Sequence, residues 1–83
     1  MSDEQFAEYR KLANVRDLRA YETAGIAQLS VAWMNLGEYE KAHKALFESV
    51  ARYQAAAEAV ERFHQTRKSN EKEQPNGNAT AAA

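Results

Sequence analysis

Cysteine is absent from this chain of 83 residues, so neither a disulfide nor a thiolate zinc site can stabilise it. A chain this short buries only about 60–65% of its unfolded surface. Small domains without such cross-links often depend on oligomerisation or on a partner. A glycine-rich phosphate loop and a Ser-His-Asp arrangement are missing too. The sequence therefore predicts a non-enzymatic protein that needs no cofactor.

Long apolar runs and an excess of one charge are also missing. The most apolar segment, AGIAQLSVAWMNL, contains Gln28 and Ser30, whereas a membrane-spanning helix needs about 20 apolar residues. The start, MSDEQFAEYRK, lacks the basic and apolar regions of a secretory signal. The net charge is −1, without the basic excess typical of nucleic-acid binders. We expect a soluble, cytoplasmic protein without membrane contact, and nucleic-acid binding only as an alternative.

Proline and glycine are scarce, and their positions divide the chain into two helices. No proline and only Gly25 among glycines occur between residues 3 and 36, so we expect a helix there, begun by a Ser2–Gln5 capping box. Gly37 occupies a position where helices end in a left-handed residue. Helix-forming residues resume over about 39–68. The prediction is an all-α antiparallel hairpin over residues 1–68, followed by a disordered tail over 69–83.

The second helix carries apolar and aromatic residues at alternating spacings of four and three, which is typical of lengthwise helix packing. These positions are Tyr39, His43, Leu46, Val50, Tyr53, Ala57, Val60 and His64. The matching residues of the first helix are Val15, Leu18, Ile26, Leu29, Trp33 and Leu36. A fold-back at Gly37 would pair Leu36 with Tyr39, Leu29 with Leu46, Ile26 with Val50, Leu18 with Ala57 and Val15 with Val60.

The first helix has a second apolar side, roughly opposite the first. Its members are Phe6, Tyr9, Ala13, Ala20, Ala24, Ala27, Val31 and Met34. A two-helix hairpin covers only one side of each helix, so this side predicts a homodimer that forms a four-helix bundle, or a partner-binding face. Phe47 and Phe63 are further candidates for contact with a partner. The alternative is that the alanines on this side only favour helix formation and that the side is solvated.

Residues 24 to 54 resemble a tetratricopeptide repeat. The resemblance rests on large residues at Leu29, Trp33 and Leu36, a small residue at Ser30, and the turn pair Gly37 and Tyr39. Ala42, Leu46, Ser49 and Val50 match the second helix of a repeat. Gln54 stands where a repeat has its closing proline, and no second copy of the pattern occurs. The resemblance therefore implies a helical hairpin but not a peptide-binding superhelical array.

Two Glu-x-x-His motifs raise a metal-binding alternative. They are Glu40 with His43 and Glu61 with His64, and di-iron bundles use this motif together with glutamates from other helices. The two motifs lie 21 residues apart in one helix, or roughly 31 Å, so one chain cannot join them. Glu22 would lie about midway, where it could accept a hydrogen bond from Tyr53.

The function that these observations predict is binding to another protein, as an adaptor, a co-chaperone or an inhibitor. An inhibitor of a host protein encoded by a phage or mobile element is one alternative. A helical metal-binding bundle is another, and a weak nucleic-acid-binding regulator is the third. The last would use two basic stretches, Arg10, Lys11, Arg16 and Arg19 near the start and Arg62, Arg67 and Lys68 near the helix end.

Overall fold

Two helices packed antiparallel against each other make up the fold, and the predicted all-α hairpin is confirmed. The computed structural model describes residues 1–72, and side chains through residue 69. Helix α1 spans Asp3–Asn35 and helix α2 spans Tyr39–Lys72, each about 50 Å long at 1.5 Å per residue. Helix α2 thus continues a few residues past its predicted end. The remainder of the predicted tail, residues 73–83, lies outside the described residues.

Local capping explains where α1 begins and ends. The Gln5 amide donates to the Ser2 hydroxyl at 3.1 Å, and the Ser2 amide donates to the Gln5 side chain at 2.9 Å, which is the predicted capping box. At the other end, the Glu38 amide donates to the Trp33 carbonyl and the Gly37 amide to that of Met34. This Schellman pattern requires the left-handed backbone that Gly37 adopts, with φ of 82°.

The interface between the helices follows a regular spacing of three and four residues on both sides. In α1 the buried or half-buried positions of this row are Tyr9, Leu12, Arg16, Arg19, Thr23, Ile26, Ser30 and Trp33. In α2 they are Ala42, Leu46, Ser49, Tyr53, Ala56, Val60, Phe63 and Arg67. A period of 3.5 residues keeps two long helices in contact along their length. Small and polar residues occupy about half of these positions.

The predicted pairing of the helices is wrong. The Ser30 hydroxyl lies 3.2 Å from the Ala42 carbonyl, and the Thr23 hydroxyl 3.3 Å from the Ser49 carbonyl. The predicted register would instead place Trp33 opposite Ala42, so α1 is displaced by about three residues, nearly one turn. Small residues at the crossing let the helices approach closely. Large leucines between the helices would hold them apart.

Burial within the hairpin is consequently small. The buried apolar side chains of the described residues are Ala13, Ala42 and Val60, and Ser30 and Ser49 are buried with them. Val15, Leu18, Leu29 and Leu36, which were predicted to lie between the helices, are 42%, 56%, 49% and 74% exposed. Within residues 1–72, neither helix combines the length and apolarity that crossing a bilayer requires.

Candidate functional site

An open groove of about 660 Å³ lies beside the bend. Met34 from α1 and Tyr39, His43 and Leu46 from α2 line its sides, and Ser30 and Ala42 are also among its lining residues. The His43 ring also contacts the Phe47 ring, with centroids 5.9 Å apart. Tyr39 and His43 were predicted to lie between the helices, yet both are exposed, because the row of α2 that faces α1 runs through Ala42, Leu46 and Ser49 instead.

The groove opens onto a wider apolar surface, here called the groove face. On α1 it continues through Val31 and three alanines toward Phe6, since residues three and four apart share one side of a helix. Phe6, Val31, Met34, Tyr39 and Phe47 are between 41% and 68% exposed, and Ala20, Ala24 and Ala27 are exposed as well. These α1 residues belong to the predicted second apolar side. On α2, Phe47 was also predicted as a contact residue, whereas Tyr39 and His43 are new to this surface, because sequence patterning had assigned them to the interior.

Three residues of the predicted contact surface take part in hairpin packing. Ala13 is buried. The Tyr9 ring centroid lies 6.2 Å from that of Phe63 and 5.3 Å from that of His64, and all three side chains are half-buried. This aromatic cluster holds the open end of the hairpin together. The groove face is therefore defined without Tyr9, Ala13 and Phe63.

A second exposed apolar surface runs along the other flank of α1. We call it the leucine stripe, and it consists of Val15, Leu18, Leu29 and Leu36. Trp33 lies at its edge, where the Lys41 ammonium sits 5.0 Å from the ring centroid. Met34 contributes to the groove, while Trp33 contacts Lys41. Consecutive side chains of α1 therefore meet opposite flanks of α2, and the leucine stripe and the groove face lie on opposite sides of the hairpin.

An ion-pair cluster lies beside the leucine stripe. Arg19 contacts both carboxylate oxygens of Glu22 at 3.0 Å, and Arg52 of α2 reaches the same carboxylate at 4.0 Å. Two guanidinium groups therefore share one carboxylate. Glu22 pairs with these arginines, whereas the sequence had suggested a bond from Tyr53. Because the three side chains are 35% to 50% exposed, the pairs contribute little stability.

The candidate metal ligands lie in two separate places. Glu40 and His43 are near the bend, whereas Glu61 and His64 are near the open end, where the His64 ring packs against Tyr9 and Phe63. Among the residues that the structure describes, no group of three or more His, Asp or Glu side chains is placed to hold a metal ion. Both histidines instead take part in aromatic contacts, His43 with Phe47 and His64 with Tyr9.

The basic residues near the chain start are partly paired with acids. Arg16 donates to Asp17 at 3.1 Å, and this hydrogen bond raises the pKa of Arg16 further above its ordinary value. Arg19 is paired with Glu22. The positive charge available to a nucleic acid is correspondingly reduced on α1, since paired carboxylates repel phosphates.

The residues behind the tetratricopeptide resemblance meet at the helix crossing. Ser30, Ala42 and Ser49 are 2%, 2% and 1% exposed, so the small positions of the motif are the ones where the helices lie closest. No family model matches this chain, and searches of curated proteins and of solved structures found no significant match either. The resemblance to a single tetratricopeptide hairpin therefore stays a prediction.

Proposed function

We propose that this protein is a non-enzymatic protein-binding module that dimerises through its groove face into a four-helix bundle. It would act as an adaptor, a co-chaperone or an inhibitor. One observation carries the proposal. The hairpin leaves an apolar surface two helices wide uncovered, while it buries only three apolar side chains among its described residues.

The area of the groove face suits an association of this kind. Its five large residues, from Phe6 to Phe47, are 41% to 68% exposed. The three aromatic residues among them present on the order of 350 Å² of side-chain surface, taking about 150–250 Å² for each when fully exposed, and Val31 and Met34 add to this. The alanines and the rim of the groove add to this area. A standard interface buries about 800 Å² on each partner, which is within reach of this surface.

Stability supplies the second argument. A chain of this length without cross-links rarely stabilises itself by one small core, and the core here is thin. A second copy that covers the groove face would give Val31, Met34 and Phe47 the burial that the hairpin does not provide. The exposed alanines would let the two hairpins pack closely, as small residues do between helices.

The test is the solution mass of the purified chain by light scattering. We expect about twice the 9.3 kDa of one chain. The double variant Ala24→Glu with Val31→Glu would bury two unpaired charges in the interface and should be monomeric yet helical by circular dichroism. The control, Asn14→Glu with Gln28→Glu, adds the same charge at exposed polar positions and should remain dimeric. A helical wild-type monomer, or a dimeric double variant, would contradict the proposal.

A further inference from the structure

The two Glu-x-x-His motifs of α2 lie too far apart to act together within one hairpin, but a second copy can complete each of them. We call Glu40 with His43 the bend motif, and Glu61 with His64 the open-end motif. We propose that the groove-face dimer binds Zn²⁺ at two symmetry-related sites, each formed by the bend motif of one copy and the open-end motif of the other. This inference rests on the proposed dimer and assigns a ligand to it. Four protein ligands leave no open position on the metal, so each site would be structural.

Both motifs lie on the flank of α2 that borders the groove face. Glu40 and His43 line the groove. His43, Glu61 and His64 each follow directly after a residue of the row that faces α1, so they share one flank of the helix. His64 is half-buried and the other three are exposed, and among the described residues neither Glu40 nor Glu61 forms an ion pair. The two carboxylates are therefore free to bind a metal ion.

A two-fold axis across the hairpin would bring a bend motif and an open-end motif together. When α2 packs antiparallel against α2 of a second copy, residues equally far from the axis on either side face each other. Glu40 and His64 are equally far from Arg52, and so are His43 and Glu61. An axis that crosses α2 at Arg52 therefore sets each glutamate opposite a histidine. Helices in such bundles lie about 8–10 Å apart, and Glu-x-x-His motifs on facing helices hold metal ions between them.

The groove face supports the same position of the axis. The contact of Thr23 with Ser49 places Ala20 level with Arg52, since each lies three residues further along its helix. The axis would thus cross α1 at Ala20, which is exposed. Because alanine is small, two copies of α1 can approach closely at this place.

The same axis also fills the groove. Ala20 is midway between Phe6 and Met34, so Phe6 of each copy would lie over Met34 and the groove of the other. The groove has a volume of about 660 Å³, and Phe6 is 52% exposed. The other two-fold arrangement has both bends at one end and would set groove against groove. It would leave unfilled space, which close-packed interfaces avoid.

The ligand set and the charge of each site fit Zn²⁺. Two carboxylates balance the charge of the ion, and two neutral imidazoles complete a four-coordinate shell. The exposed cations beside the motifs are Lys41, Lys44, Arg62 and Lys68. Their long side chains keep the charged groups in water, so they need not enter the site.

Equilibrium dialysis against zinc chloride, combined with light scattering of the same samples, tests the proposal. We expect about two Zn²⁺ per dimer, one for each symmetry-related site. Because the metal binds the dimer and not the monomer, the dissociation constant of the dimer should fall at least about tenfold when Zn²⁺ is added.

Two double variants show whether the sites join two copies. One is Glu40→Ala with His43→Ala, and the other is Glu61→Ala with His64→Ala. Each should bind Zn²⁺ at least about tenfold more weakly than the wild type, because every site loses two of its ligands. An equal mixture of the two should regain tight binding. In the mixed dimer, the intact bend motif of one copy meets the intact open-end motif of the other.

Two further variants control for effects on folding. Glu61→Gln leaves the contact of His64 with Tyr9 in place and should still weaken Zn²⁺ binding. Glu58→Gln changes an exposed glutamate one turn earlier in α2 and should bind Zn²⁺ like the wild type. Both should have the helix content of the wild type by circular dichroism.

Three results would overturn the inference. A dimeric wild-type chain that binds no Zn²⁺ would contradict the metal site and leave the dimer standing. A mixture that binds no more tightly than its separate components would show that the motifs of two copies do not meet. A chain that is monomeric with and without Zn²⁺ would overturn both this inference and the proposed dimer.

Discussion

Two serines at the helix crossing show how single residues determine the distance between the helices. Among the described residues, Ser30 and Ser49 are only 2% and 1% exposed. Their hydroxyls donate to the carbonyls of Ala42 and Leu46 at 3.2 and 2.8 Å, so neither buries an unpaired polar group. Both residues are small, and α1 and α2 therefore approach closely at these two places.

Substitution at position 30 should separate size from hydrogen bonding. Ser30→Ala removes one neutral hydrogen bond and should lower the free energy of unfolding by about 1 kcal/mol or less. Ser30→Leu overfills the crossing and should cost about 1–3 kcal/mol. Urea unfolding followed by circular dichroism measures both. Equal destabilisation by the two substitutions would mean that the hydroxyl, and not the close approach, is what the position requires.

The two glycines of the helical region have different roles, and replacing each of them with alanine should reveal this. Gly37 has a φ of 82°, so Gly37→Ala places a Cβ in a left-handed backbone and should cost about 1–2 kcal/mol. Gly25 lies inside α1 without a positive φ, so Gly25→Ala should stabilise the hairpin by up to about 1 kcal/mol.

Thermal unfolding of the two variants, measured side by side, gives the comparison. The melting temperature should fall for Gly37→Ala and rise for Gly25→Ala. If both variants melted below the wild type, Gly25 would have a structural role within the hairpin.

At the scale of the elements, each helix is amphipathic in an unusual way. Helix α1 has large apolar residues on both flanks of the hairpin, in the leucine stripe and on the groove face. Its row against α2 includes Arg16, Arg19 and Thr23. Helix α2 presents Tyr39, His43 and Leu46 together with the charged residues Glu40 and Lys44 to the groove, and Lys41, Glu48 and Arg52 toward the stripe.

At the scale of the whole molecule, stability should depend on concentration. If folding and dimerisation are coupled, a tenfold rise in protein concentration stabilises the dimer by about 1.4 kcal/mol. The unfolding midpoint should accordingly rise with concentration, as urea titrations over a range of dilutions would measure. The monomeric variant Ala24→Glu with Val31→Glu should unfold at one midpoint throughout. A wild-type midpoint that does not move would contradict the coupling.

Much of the candidate site could be predicted from residue types alone, and some of it could not. Val31, Met34 and Phe47 were predicted as contact residues because their apolar side chains exceed what one hairpin can cover, and all three are exposed. The sequence wrongly placed Tyr39, His43 and the leucines of the leucine stripe between the helices. The spacing of apolar residues cannot distinguish a row that packs against the other helix of the hairpin from a row that remains exposed. The signal that could have identified the packed side was the set of small residues at the crossing, namely Ser30, Ala42 and Ser49.

The sequence by itself determined the two helices, the start of α1 and the antiparallel fold-back at Gly37. Helix hydrogen bonds, the Ser2 cap and the left-handed Gly37 depend only on neighbouring residues. The tertiary structure alone decided which side of α1 faces α2. Several apolar sides compete for that position, and the outcome depends on interhelical distance. Close contact at Ser30, Ala42 and Ser49 favours the small residues, and it leaves the larger apolar side chains on the outside.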